Sequence, residues 1–175
     1  MEYTLKDGKM IDLREIRLSD AVLLLDFFKI VNLESQNLIR DPGEYTMTLN
    51  EERKFIRRIM ASEDEYIFAV FFEEEIIGTI MFRSSHFQRI KHRASIGMSV
   101  LRKFNNLGIG TIMIENILNK AKEVGKLKME LDVRVDNPNA IHLYEKFGFE
   151  VEGTIQKGFF VENKYIDLLF MGKWL

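Results

Sequence analysis

Val100-Leu101-Arg102-Lys103-Phe104-Asn105-Asn106-Leu107-Gly108-Ile109-Gly110-Thr111 carries a β-rich run into a helical one through a turn that holds two glycines. The first N–H groups of a helix lack intrahelical partners and lie at the positive end of its dipole, so a phosphate binds there when no side chain shields the backbone. Gly108 and Gly110 remove that shield. The same pair can equally serve close packing of the helix on the strand, and the stretch alone leaves both uses open. A dinucleotide-binding turn is disfavoured, because its third glycine would fall where Met113 stands, although Glu130 and Asp132 follow at about the distance of a ribose-binding acid. A nucleotide-triphosphate loop lacks its Gly-Lys-Ser/Thr.

Working towards the N-terminus, Arg93 to Val100 closes an antiparallel meander begun by Tyr66 to Phe72 and Ile76 to Arg83, with the charged Glu73-Glu74-Glu75 at the hairpin tip. Thr48-Leu49-Asn50-Glu51 has the spacing of a capping box, so a helix is expected from about Glu51 to Met60 with Phe55, Ile56 and Ile59 inward. Asn32 to Met47 loses periodicity around the turn signal Asp41-Pro42-Gly43, and irregular segments of that length often form binding walls. Before it come a strand from Met10 to Ile16 and a helix entered at Ser19-Asp20, with Val22, Leu25 and Phe28 among its apolar positions.

Towards the C-terminus, a helix from Gly108 to Val124 stops at Gly125 and a strand runs from Met129 to Val133. The next informative stretch is Asp136-Asn137-Pro138-Asn139-Ala140-Ile141-His142-Leu143-Tyr144-Glu145-Lys146-Phe147-Gly148-Phe149. Asn137 suits a helix cap, Pro138 a first turn and Gly148 a left-handed terminator, while Ala140, Tyr144 and Phe147 share one helical face. Two strands around Val151 and Ile166 close the chain, and one domain is expected over residues 1–175.

Composition narrows the function classes. Of 175 residues 46% are hydrophobic and 30% charged, a globular balance large enough for one core. Without cysteine, and with His86, His92 and His142 nowhere at i, i+4 spacing, no metal site is expected. Lys+Arg 25 against Asp+Glu 27 offers no broad attraction for nucleic acid. No apolar run approaches the ~20 residues of a membrane span, and no secretory signal opens the chain, so a soluble cytoplasmic protein is expected.

In this order, the two stretches resemble the GNAT superfamily of acyl-CoA-dependent N-acyltransferases. The superfamily's Arg/Gln-x-x-Gly-x-Gly turn maps onto Asn105, Asn106, Leu107, Gly108, Ile109 and Gly110, and its Asn-x-x-Ala-x-x-x-Tyr element onto Asn137, Ala140 and Tyr144. The resemblance implies an α/β (α+β) fold: a mixed, mostly antiparallel sheet of six to seven strands with helices on both faces, splayed between the strands ending near Val100 and Val133. It implies acetyl-CoA as co-substrate in that splay, against Met98, Val100, Asn105, Asn106, Leu107, Gly108, Ile109, Gly110, Thr111, Asn137, Asn139 and Tyr144. The acetyl group would pass to a primary amine, on a small molecule or a protein, by direct attack through a tetrahedral intermediate. A backbone N–H near Val100 would hold the oxyanion and Tyr144 would protonate the leaving thiolate.

Two departures stand out: Asn105 replaces the usual Arg or Gln, shifting phosphate affinity to the backbone and to Arg102 or Lys103, and Ser95 stands where many relatives carry a glutamate base. Glu130, Asp132 and Glu34 are the remaining carboxylate candidates. These departures keep open an alternative, a CoA-binding regulatory module without turnover. Valine at Gly108 or Gly110 is expected to weaken CoA while leaving the fold largely intact. Lys164 to Leu175 is apolar on both parities, which suits a strand covered on both faces or a subunit contact, and a homodimer through the C-terminal strands is expected.

Overall fold

The computed structural model describes residues 1–175, and eight strands form one sheet in the order β1-β2-β3-β4-β5-β6-β8-β7. They are β1 (Glu2–Thr4), β2 (Met10–Glu15), β3 (Glu65–Phe72), β4 (Glu75–Ser84), β5 (Arg93–Val100), β6 (Lys128–Arg134), β7 (Glu150–Val161) and β8 (Lys164–Trp174). Only β5 and β6 pair in parallel. The strand beyond the six to seven expected is β1, whose three residues are too few to display an alternating pattern.

Four helices join them: α1 (Ala21–Glu34), α2 (Leu49–Met60), α3 (Ile109–Glu123) and α4 (Pro138–Lys146). The capping box of α2 is formed, with Glu51 N–H donating to Thr48 Oγ1 at 3.3 Å and Thr48 N–H to Glu51 Oε2 at 2.8 Å. Helix α1 runs past Asn32, where periodicity was expected to end. The buried Asn32 amide donates to the Phe28 carbonyl at 2.6 Å, satisfying within the helix a polar group that the apolar pattern does not explain.

Both parities of β3 and β4 are buried because helices cover both faces. Gly78 lets α3 pack closely on β4: a Cβ there would lie 3.4 Å from Ile109 Cγ2 and 3.5 Å from Met113 Sδ. The core is one cluster of 34 residues running from Leu5 to Met171. Its largest members, among them Phe27, Phe82 and Phe149, each contribute about 2–3 kcal/mol by leaving water. Strand β8 lies between β6 and β7, so its two-sided apolar pattern belongs to a strand inside the sheet. No helix is long and apolar enough to cross a membrane.

Candidate active site

The parallel pairing of β5 with β6 covers three positions, Arg93 with Lys128, Ala94 with Met129 and Ser95 with Glu130, and then ends. From Ile96 to Val100, β5 keeps β4 on one side and has no strand on the other, so the sheet opens. Leu101 N–H donates to the Ile77 carbonyl on the β4 side at 2.9 Å. Backbone direction alternates along a strand, so Met98 and Val100 turn their N–H and C=O groups into the opening.

At the head of this opening the chain makes one 3-10 turn, Arg102–Phe104, and enters α3. Asn106 and Gly108 both have positive φ, 63° and 96°. Gly108 occupies the cap position of α3 and no side chain caps the helix, so the N–H groups of Ile109, Gly110 and Thr111 are available to an anion. Gly110 has a second duty: a Cβ there would lie 2.8 Å from Leu143 Cδ2 on α4 and 3.2 Å from Met98 Cε on β5. Valine is therefore not silent for the fold at either glycine, contrary to expectation. At 108 it meets a left-handed backbone, and at 110 it meets packed side chains.

Asn105 is exposed and makes no side-chain hydrogen bond, while the neighbouring cations have other partners. Lys103 Nζ lies 2.9 Å from Glu75, and the Arg102 guanidinium donates to the Glu34 carbonyl. The Glu34 carboxylate accepts the Arg102 N–H at 2.7 Å, which ties the end of α1 to the end of β5.

Across the opening, Asn137 caps α4 by accepting the Ala140 N–H at 3.3 Å, and Asn139 is exposed in the first turn. Tyr144 is 7% exposed and stacks edge-to-face on Phe149 at 5.8 Å. Its hydroxyl makes no hydrogen bond within the protein yet is not sealed from solvent. Burial pushes its pKa up to about 12, so it holds its proton at neutral pH.

The carboxylates differ in their surroundings. Glu130 is buried, with Arg93 Nη1 at 3.2 Å and Lys128 Nζ at 3.3 Å, and Lys128 also reaches Glu152 at 2.6 Å. Asp132, two residues on and on the same strand face, is exposed and has no ion pair. Partial desolvation, with the like charge of Glu130 second, raises its pKa above the ordinary carboxylate value.

The wall beside Asp132 is a connection that motif reading missed. Buried Arg134 makes a bidentate pair with Asp136 at 2.8 Å and donates to the Gln36 carbonyl at 2.5 Å, while Gln36 Nε2 reaches Glu162 at 2.5 Å. The segment after α1 is thus strapped to the end of β6 and to the β7–β8 hairpin. Local pattern holds no signal for it, because Gln36 and Glu162 are 126 residues apart. No cluster of metal-ligating side chains is present.

A family model described as the acetyltransferase (GNAT) family matches residues 28–149. The L-amino acid N-acetyltransferase AaaT of Escherichia coli (strain K12) is 28% identical over 100 residues, 57% of this chain and 62% of that protein. The chain aligns with about half to three-fifths of the length of the curated relatives it matches. An acetyltransferase of the GNAT family from Streptococcus pneumoniae superposes with a TM-score of 0.90 at 27% identity, over 94% of this chain and 99% of that one. The yncA acetyltransferase of Salmonella typhimurium, solved with acetyl-CoA, shares the fold at 15% identity with a TM-score of 0.82, over 94% of this chain and 93% of that one. An open β5 edge running into an uncapped glycine turn, together with a family match over most of its length, makes this chain a member of the GNAT acetyltransferase family.

Proposed function

We propose that the protein is an N-acetyltransferase that moves the acetyl group of acetyl-CoA to a primary amine, on a small molecule or a protein. The observation that carries this reading is the unpaired edge of β5 leading into the uncapped N-terminus of α3. The turn from Asn105 to Thr111 binds the pyrophosphate through backbone N–H groups, and Met98 and Val100 pair with the pantetheine arm as a neighbouring strand would. The Val100 N–H faces the opening where negative charge builds on the thioester oxygen. Asn137 and Asn139 border the opposite side at the head of α4.

Alkylamines have pKa values of about 10, so the acceptor must lose a proton before attack. Asp132 takes this role best among the carboxylates, being exposed, unpaired and raised in pKa, whereas Glu130 is held by two cations and Glu34 by the Arg102 N–H. Tyr144, protonated and free of competing hydrogen bonds, returns a proton to the departing thiolate. Acidic groups near the opening suit a cationic amine, as does 30% identity over 120 residues to a spermidine N(1)-acetyltransferase of Vibrio cholerae.

The test is thiol release from acetyl-CoA with a panel of L-amino acids, a polyamine and peptides with free N-termini. Release dependent on one class supports the reading. Tight CoA binding with no release from any amine would make the protein a binding module instead. The C-terminal strands also offer a homodimer contact, with Phe160 and Tyr165 exposed and stacked at 4.9 Å. Light scattering giving the mass of one 20.6 kDa chain would defeat that contact without touching the enzymatic reading.

A further inference from the structure

The turn that opens α3 is poor in free positive charge. Asn105 is neutral, Lys103 is paired with Glu75 and Arg102 is committed to Glu34. Backbone N–H groups alone would face a dianionic pyrophosphate, and charge-assisted contacts are roughly twice as strong as neutral ones.

The loop between β1 and β2 brings a cation to this place. Lys6 N–H donates to the Leu107 carbonyl at 3.3 Å, and Lys6 Cε lies 4.0 Å from the point that a Cβ on Gly108 would occupy. Its stem therefore runs beside the glycine that opens the helix. The Lys6 ammonium takes part in none of the molecule's ion pairs or side-chain hydrogen bonds, and the adjacent carboxylate of Asp7 is taken by Lys9. The loop is also held in shape. Leu5 is buried in the core with its N–H on the Lys9 carbonyl at 2.8 Å, and Gly8, at φ 85°, donates to the Leu5 carbonyl at 3.0 Å.

We propose that Lys6 binds the pyrophosphate of acetyl-CoA, supplying from the β1–β2 loop the cationic contact that Asn105 leaves out of the turn. The inference rests on the acetyl-CoA-dependent reading above and adds a contact from an element outside the glycine turn. A flexible stem ending in a compact ammonium suits a partner that arrives with the ligand.

Calorimetric titration of CoA into the wild-type protein, Lys6→Gln and Lys6→Arg tests it. Lys6 is exposed, so both variants should keep the wild-type melting temperature. Lys6→Gln is expected to weaken CoA about tenfold and to reduce the salt dependence of binding, and Lys6→Arg to stay within about threefold of wild type. Dephospho-CoA, which keeps the pyrophosphate, should show the same loss with Lys6→Gln. A loss seen with CoA but absent with dephospho-CoA would move Lys6 to the 3′-phosphate and overturn the assignment, as would unchanged affinity in Lys6→Gln. Failure of the wild-type protein to bind CoA would remove the underlying reading as well, so the two failures are distinguishable.

Discussion

The Tyr144 hydroxyl sits on a buried ring, makes no hydrogen bond within the protein and stays open to solvent, which leaves it free to exchange a proton. Tyr144→Phe keeps the ring and its contact with Phe149. Saturating kinetics should give a kcat lower by the 10²–10⁴-fold typical of positioned proton transfer, or less where water substitutes. The same variant makes a pH prediction. The folded-state pKa lies near 12 against an ordinary 10, so the stabilisation is full below pH 10 and is lost as pH rises from 10 to 12. Urea titrations at pH 9 and 11 should therefore show wild type losing about 1 kcal/mol more than Tyr144→Phe, roughly half of the full two-unit shift. Asp132, proposed as the base, would take a proton rather than give one. Its pKa is raised by partial desolvation and by the charge of Glu130, so the acid limb of kcat/KM is expected above that of an ordinary aspartate, with the rate rising as pH passes through it. Asp132→Asn should flatten that limb and lower the plateau by a similar 10²–10⁴-fold; an unaltered pH profile would assign the base elsewhere. A third carboxyl, Glu52, is fully buried, accepts the Tyr45 hydroxyl at 2.5 Å and leaves Oε1 without a partner. Desolvation raises its pKa, so its contribution is present in acid and lost as pH rises through that pKa. Glu52→Gln, read by chemical unfolding, should stabilise by about 1 kcal/mol at pH 7 and by less at pH 4.

Among elements, the strap from Arg134 through Gln36 to Glu162 holds the segment after α1, the proposed acceptor wall, against the end of β6 and the β7–β8 hairpin. Arg134→Lys keeps the charge but loses the fork that serves Asp136 and Gln36 together. We expect KM for the amine to rise about tenfold, CoA affinity to stay unchanged and stability to fall by about 1–3 kcal/mol. A stability loss with no change in the amine KM would leave the strap a purely structural feature. The same elements explain what could be read from sequence. The glycine turn and the caps of α2 and α4 were legible because a cap or a left-handed residue acts within about four positions of chain. Helix α1 was read short because a buried asparagine interrupts its apolar period while its amide bonds within the helix. Strand β7 was reduced to the surroundings of Val151 because it is a sheet edge, exposed along most of its 12 residues and irregular at two places in its pairing. The segment after α1 was legible as an irregular stretch suited to a binding wall, but its anchors were not, since the contacts from Arg102 to Glu34 and from Arg134 to Gln36 span 68 and 98 residues.

Across the whole molecule, β1 to β5 form an antiparallel run of sequence neighbours, and β6, β8 and β7 form a second group. Three parallel positions between β5 and β6 are the backbone join between them. If acetyl-CoA pairs with β5, amide hydrogen exchange at Met98 and Val100 should be fast in the free protein and slow markedly on adding CoA. Unchanged exchange at both would mean that the cofactor does not use the strand edge. The short join also has a mechanical meaning. A sheet under tension parts where few backbone bonds cross, and here one such seam runs down the middle of the molecule. Side-chain packing by α3 and α4 and a bound cofactor lying across the gap would then share the load. Cofactor occupancy would set how stiffly the two halves move against each other, and the segment after α1, anchored to both through Glu34 and Arg134, would register that stiffness directly.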